Sequence, residues 1–247
     1  MIEKLLGFMM VLTRISAFFL VVPVFSWQSI PLRTRTAVVV LMSLFFYITR
    51  PFVLNHEQFS ALKVILLLSN EAIYGLALGL IAALVFSAVK FNGQIIEQQM
   101  GLTMAQILDP LTGEEAQPLS SLLEMLFILL FFSARGHHLF LLVISRSYEA
   151  FPAGSIPTIP VLADGILKAG STLLVAGLRL AAPMLAAFLL LMVTLAVLAR
   201  IAPEMNILFI SLALQVGLGL LLVGTFLPFI NGFVAEFADW MGKLLPL

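Results

Sequence analysis

The chain has 247 residues, 62% of them hydrophobic and 11% charged, with thirteen Lys and Arg against thirteen Asp and Glu and a mean hydropathy of +1.13. Soluble domains carry roughly 25% charged residues, so a water-covered surface is excluded; no basic run is long enough to follow a phosphate backbone, which excludes nucleic acid as a partner. The absence of cysteine removes disulfides, thiolate metal sites and cysteine nucleophiles.

In lipid, every backbone N–H and C=O must be paired within the chain, which leaves helices or closed barrels. The apolar runs lack period-two alternation, so the fold class is all-α membrane protein. At ~20 apolar residues per span, the chain holds roughly five to seven helices in a single integral membrane domain, residues 1–247. Leu5 to Phe25 forms the first span. It is longer than a signal-peptide core and is not followed by a small-x-small cleavage site, so it is read as retained. Its apolar content outweighs Arg14 on an insertion scale that charges Arg roughly +3 kcal/mol.

Ser26 to Arg35 reads as a loop, and Thr36 to Thr49 as a segment short for a full crossing. Residues 51–60 are a polar connector. Ala61 to Val89 is apolar but interrupted by Lys63 and Glu71, and Ala72 to Val89 is long enough to span alone. Lys90 to Gln117 is the most polar stretch, punctuated by Gly93, Gly101, Pro110 and Gly113. Leu122 to Ala134 and Leu139 to Ile144 are each too short to cross, and Arg135, Gly136, His137 and His138 separate them. Residues 149–164, with Pro152, Gly154, Pro157 and Pro160, read as a loop. Lys168 to Ala199 follows, carrying Arg179 and interrupted by Pro183. Arg200-Ile-Ala-Pro-Glu-Met-Asn206 is a tight turn between two long helices, a C-terminal hairpin whose second arm runs from Ile207 toward Ala235 and is broken or kinked by Pro228 and Asn231.

Lys90, Gln94, Glu97, Gln98 and Gly101 fall at i, i+4, i+7, i+8 and i+11, one face of a helix. Such a face is either the wet end of a span or a pore- or partner-facing surface. Charges also interrupt apolar runs at Arg14, Glu71, Glu124, Arg135 and Arg179. Intramembrane charges face a bundle interior or an aqueous cavity, and an ion pair of Arg14 with Glu71, Glu97 or Glu124 would be structural. His137 and His138 point about 100° apart on a helix and have no further ligand cluster, so a helix end is expected rather than a metal site. Gly75 and Gly79 form a small-xxx-small pair that permits close helix approach. The chain lacks His-Glu-x-x-His, Gly-x-Ser-x-Gly and phosphate-loop signatures, so no enzymatic activity and no cofactor are expected.

The segment Gly93-Gln-Ile-Ile-Glu-Gln-Gln-Met-Gly-Leu-Thr-Met-Ala-Gln-Ile-Leu-Asp-Pro110 resembles the FliR/SctT family of type III export-gate proteins. The resemblance extends to Gly136-His137, to Ala181-Ala-Pro183 and to Ala199-Arg-Ile-Ala-Pro-Glu-Met-Asn206, and is closer to the flagellar branch than to the injectisome branch. In place of the Asp and Gly that flagellar relatives often carry before the Ala-Arg step, this chain has Val193-Thr-Leu-Ala-Val-Leu198. The resemblance implies a subunit in the bacterial inner membrane, in the flagellar basal body. Its partners would be FliP-type, FliQ-type, FlhB-type and FlhA-type subunits, with unfolded proteins in transit and membrane lipid around the assembly. It also implies a FliP-like part over residues 1–170 fused to a FliQ-like hairpin over 171–247. The segment Gly101 to Gln117 would be a plug in the conduit, with apolar contacts from Leu102, Met104, Ile107 and Leu108. Two other readings compete with it: a secondary transporter with an internal polar site, which would show internal symmetry, and a membrane assembly factor with no conduit role.

Overall fold

Unbroken apolar sequence with few glycines or prolines inside it favours long helices, and the chain forms them. In a computed structural model, residues 2–26, 30–49, 61–102, 117–154, 159–204 and 206–244 are described. Their elements are α1 (Ile2–Val21), α2 (Pro23–Ser26), α3 (Leu32–Thr49), α4 (Ala61–Gln99), α5 (Pro118–Ser133), α6 (Gly136–Ala150), α7 (Ile159–Ile201) and α8 (Ile207–Leu244). No strand occurs among the described residues. Among the described residues, four helices, α1, α3, α4 and α7, are long and apolar enough to cross a membrane, and the broken pair α5 and α6 makes a fifth if counted as one span. The all-α membrane class read from composition therefore holds.

Several boundaries differ from the sequence reading, each for a local reason. The loop expected over Ser26 to Arg35 is shorter, because α3 begins at Leu32 directly after Pro31. Its first turn absorbs Arg33 and Arg35, and the helix reaches 18 residues, about 27 Å at 1.5 Å per residue. That length is close to the ~30 Å hydrocarbon core, so this segment is not undersized. The loop expected over 149–164 is also shorter. Helix α6 continues to Ala150, and α7 starts at Ile159 with Pro160 in its first turn, where a missing N–H leaves no helical bond unmade. Neither Pro183 in α7 nor Pro228 and Asn231 in α8 ends its helix. The mixed stretch after Val89 remains helical to Gln99, giving α4 39 residues.

The chain forms two compact units that interleave along the sequence: Met1–Val85 with Arg135–Ser171 and Phe237–Leu247, and Phe86–Ala134 with Thr172–Glu236. In the first, α1 packs on α3 and on the first half of α4. A Cβ on Gly75 would collide with the backbone carbonyl of Arg14, and one on Gly79 would lie 2.9 Å from the carbonyl oxygen of Phe18. The two glycines thus let α1 and α4 touch backbone to backbone, where van der Waals packing replaces the hydrophobic driving force that lipid does not supply. Phe18 and Phe140 pack edge to face at 5.7 Å between ring centroids. In the second unit, Phe86 packs edge to face on Phe127 and Phe131 at 5.3 and 5.5 Å. A Cβ on Gly93 would lie 2.6 Å from the Cα of Ser120, so α4 meets the start of α5 as closely as it meets α1 in the first unit.

Candidate functional site

Each unit buries charge, and each places it at a helix terminus. In the first unit, Arg14 of α1 and Glu71 of α4 are completely buried. Arg14 Nε donates to Glu71 Oε2 at 2.6 Å. The rest of the guanidinium faces the C-terminal end of α6. Nη1 donates to the Ser147 carbonyl at 3.3 Å and to its hydroxyl oxygen at 3.4 Å, and both terminal nitrogens donate to the Phe151 carbonyl at 3.1 Å. The Ser147 carbonyl also accepts the Phe151 N–H at 2.9 Å, whereas the carbonyls that end a helix have no partner in a next turn and carry the negative end of its dipole. Arg14 therefore caps α6 from another helix. Glu71 completes the arrangement through Oε1, which accepts the Gly154 N–H at 2.9 Å. Gly154 has φ 84°, a left-handed conformation that glycine adopts without steric cost. The rings of Tyr74 and Tyr148 lie 4.9 and 4.2 Å from the guanidinium carbon and stack against it as cation–π partners.

In the second unit, the polar face of α4 meets the N-terminus of α5. Glu97 is buried. Its Oε1 accepts the backbone N–H of Leu119, and that of Ser120 at 3.2 Å. These donors belong to the first turn of α5, whose own N-cap residue, Gln117, makes no side-chain cap bond. Glu97 supplies the missing acceptor, and its negative charge meets the positive end of the helix dipole. Gln94 Nε2 donates to Gln117 Oε1 at 2.6 Å, and Lys90 pairs with Glu124 at 3.6 Å. Gln98 is exposed.

The C-terminal end of α4 closes in a Schellman turn. The Gly101 N–H reaches the Gln98 carbonyl and the Leu102 N–H reaches the Glu97 carbonyl, each at 3.2 Å, while Gly101 sits at φ 73°. The glycine is required there by its left-handed backbone. A Cβ on it would lie 3.3 Å from Gln215 Oε1 of α8, and a Cβ on Gly219 would strike the side chain of the buried Met100. Gln215 and Gly219 escaped the sequence reading because nothing in the spacing of the glycines in α8 singles them out.

The residues singled out from sequence thus divide into separate places. Arg14 and Glu71 meet in one cluster, Gln94 and Glu97 in another, and Glu124 pairs with Lys90. Arg179 is exposed on α7. Gly101 and Leu102 form the end of the Schellman turn, while Met104, Ile107 and Leu108 lie outside the described residues. His137 and His138 occupy the first turn of α6. Among the described residues no group of three or more His, Cys, Asp or Glu side chains is arranged to hold a metal ion.

Comparison with known proteins gives these features a context. The family described as bacterial export proteins, family 1, matches residues 5–240. The flagellar biosynthetic protein FliR of Pectobacterium carotovorum subsp. carotovorum is 29% identical over 233 residues, covering 94% of this chain and 88% of the relative. FliR of Escherichia coli K12 is 29% identical over 234 residues, covering 95% and 89%. The Yop proteins translocation protein T of Yersinia pestis is 30% identical over 228 residues, covering 90% and 85%. With one family matching nearly the whole length, and with relatives aligned over most of both chains, this protein belongs to family 1 of the bacterial export proteins.

Proposed function

We propose that the chain is a structural and gating subunit of the flagellar type III protein-export gate, a non-catalytic part of the conduit by which unfolded substrates cross the bacterial inner membrane. The observation that carries this reading is the alignment with FliR proteins of several bacteria over about nine-tenths of both chains. Its partners in the basal body are FliP-type, FliQ-type, FlhB-type and FlhA-type subunits. Residues 1–170 form the FliP-like part and 171–247 the FliQ-like hairpin. Many apolar side chains exposed on α7 and α8, among them Leu174, Leu178, Leu190, Phe209 and Leu220, are then covered by neighbouring subunits or lipid. Deleting the gene abolishes secretion of external flagellar proteins while inner-membrane basal components persist, and normal filament growth in the deletion strain would contradict the assignment.

Within that gate, Gly101 to Gln117 is the plug, sealing the conduit through Leu102, Met104, Ile107 and Leu108. Support comes from its two ends, since Gly101 closes α4 in a Schellman turn and Glu97 and Gln94 hold the start of α5. Aliphatic and methionine side chains adapt to many substrate surfaces, and an apolar constriction blocks ions by dewetting. A Met104→Ala, Ile107→Ala double substitution leaves the complex assembled and leaky to ions or dye. Wild-type tightness with full assembly removes this segment from the gating role. The identity to the Yersinia translocation protein supports a second reading, a subunit of an injectisome. Lost effector secretion with normal motility in the deletion strain would select it.

A further inference from the structure

We infer that Arg14 and Glu71 form a sign-specific clamp, in which the direction of the charges, and not merely their mutual attraction, positions the turn Phe151–Gly154 that follows α6. An isolated buried ion pair is indifferent to which partner stands on which helix. This one is not, because each partner also binds backbone of fixed polarity. The guanidinium of Arg14 faces only acceptors beyond Glu71: the carbonyls of Ser147 and Phe151 and the Ser147 hydroxyl oxygen, at 3.1–3.4 Å. The carboxylate of Glu71 faces a donor, the Gly154 N–H at 2.9 Å. The turn thus presents its carbonyls to the cation and its amide to the anion.

Three further observations fix the arrangement. A Cβ on Gly75 would meet the carbonyl of Arg14, so α1 and α4 touch backbone to backbone beside the pair and leave little room for the two side chains to exchange places. Tyr74 and Tyr148 offer ring faces to the cation at 4.9 and 4.2 Å, and a carboxylate placed between them would meet the negative faces of both rings. Tyr74 also stacks on Phe151 at 4.9 Å between centroids, joining the turn to the same cluster. Arg14 and Glu71 are accordingly positioning residues. They fix the point from which the chain leaves α6 toward α7, and their charges stay in place during export.

The test is a ranking within the co-expressed complex. Three variants are compared with the unmodified chain for yield of assembled complex in mild detergent and for export of flagellar substrate: Glu71→Gln, Arg14→Gln, and the reversal Arg14→Glu with Glu71→Arg. Glu71→Gln keeps one acceptor oxygen, turns the other into an NH2 donor and leaves Arg14 without its anion, so it assembles at reduced yield. The reversal restores an opposite-charge pair but sets a carboxylate against two carbonyls and a guanidinium against an amide N–H. Its yield falls below that of Glu71→Gln, by about tenfold or more, because both reversed charges face backbone groups of like polarity, whereas Glu71→Gln leaves the Arg14 cation its carbonyl and hydroxyl acceptors. Arg14→Gln falls between them. A plain ion pair gives the opposite order, with the reversal at or above Glu71→Gln, and that outcome overturns the inference. Export per assembled complex in Glu71→Gln provides the independent readout: it matches wild type, with the same dependence on external pH. Loss of export from fully assembled complexes would show that the carboxylate charge itself takes part in transport, and would equally overturn the clamp. Neither outcome bears on family membership or on the plug.

Discussion

The two buried carboxylates Glu71 and Glu97 stand on the same helix, 26 positions apart, and are satisfied in different ways. Glu71 has a guanidinium and one amide N–H; Glu97 has two amide N–H groups at the start of α5. The first cluster contains full opposite charges, so removing one partner strands the other. In the second, a full charge is balanced by a helix terminus carrying about half an elementary charge. What they share matters more. Helix ends inside protein or lipid cannot turn to water for their unpaired backbone groups, and in both units a charged side chain from another helix supplies the partner. Arg35 of α3 does the same at the end of α1, donating to the carbonyls of Phe19 and Leu20 at 3.4 Å. Arg14 and Glu97, charges that look misplaced in apolar sequence, are here explained by helix ends.

The largest difference between the clusters is expected on deleting a charge from each. Arg14→Ala leaves Glu71 buried without its cation and α6 without its cap, and breaking a buried pair in this way costs about 3–5 kcal/mol. Glu97→Leu removes the only buried charge of its cluster, so it strands no opposite charge, and takes away the acceptor that caps α5 at Leu119 and Ser120, a loss of about 0.5–2 kcal/mol. Thermal melting of the purified complex in detergent should rank Arg14→Ala well below Glu97→Leu. Equal losses would mean that the Glu97 carboxylate has a charged partner of its own in the assembly.

Glu97→Gln sharpens the contrast with Glu71→Gln. Both backbone donors at Glu97 converge on a single oxygen, Oε1, which an amide retains. At Glu71 the donors use different oxygens, so an amide must set its NH2 against one of them. Glu97→Gln should therefore lose only the charge–dipole part, about 0.3–1 kcal/mol and at most ~2 kcal/mol when buried. Melting of the two variants side by side checks it, and a greater loss at Glu97 than at Glu71 would contradict the single-oxygen geometry.

How much of this was legible beforehand follows from the range of each interaction. Helix type, the break between α5 and α6, the turn before Ile207 and the close approach at Gly75 and Gly79 are set by local composition and spacing, and all are readable in the sequence. Arg14, Glu71 and Glu97 stand out there because charge is rare in apolar runs. Their partners do not. In sequence Glu71 is one of three candidate partners for Arg14, and the Ser147 and Phe151 carbonyls and the Gly154 amide carry no mark of their role, because nearly every residue has such groups. Periodicity alone marks the polar face of α4 as wet, pore-facing or partner-facing, whereas its Gln94 and Glu97 are engaged by the start of α5. Long-range backbone pairing decided that, and periodicity carries no information about it. The shortened loops have a different origin, since prolines and charges that suggest a break are tolerated in a first helical turn.

Gly101 supplies a smaller effect in the second unit. At φ 73° any residue with a Cβ is strained, by roughly 1–2 kcal/mol. Gly101→Ala also brings a methyl group to 3.3 Å from Gln215 Oε1, a distance that a slight shift of the Gln215 side chain relieves. The expected outcome is a complex melting a few degrees lower, with a larger loss for Gly101→Val, because β-branching makes the left-handed region costlier still. If Gly101→Ala melts like wild type, the Schellman turn does not survive in the assembled gate.

The smallest expected effect belongs to Lys90 and Glu124, the pair that borders the Glu97 cluster. Their charges are 3.6 Å apart, with side chains 45% and 24% exposed. Exposed pairs of this kind contribute about 0–1 kcal/mol, because solvent and salt screen them and two long side chains must be held in place. Glu124→Gln should accordingly change the stability of the isolated chain by less than the effect of Gly101→Ala, and raising the salt concentration should shrink the difference further. The same measurement on the assembled gate then becomes informative. Glu124 interrupts an otherwise apolar helix whose exposed side chains include Leu122, Met125 and Leu129, a surface suited to cover by another subunit. If that cover forms, the pair loses its water, screening fails, and Glu124→Gln leaves Lys90 as a desolvated, unpaired cation. The loss would then be several-fold greater in the complex than in the isolated chain, and insensitive to salt. An equally small, salt-sensitive effect in both forms would place this face of α5 in contact with water in the finished assembly.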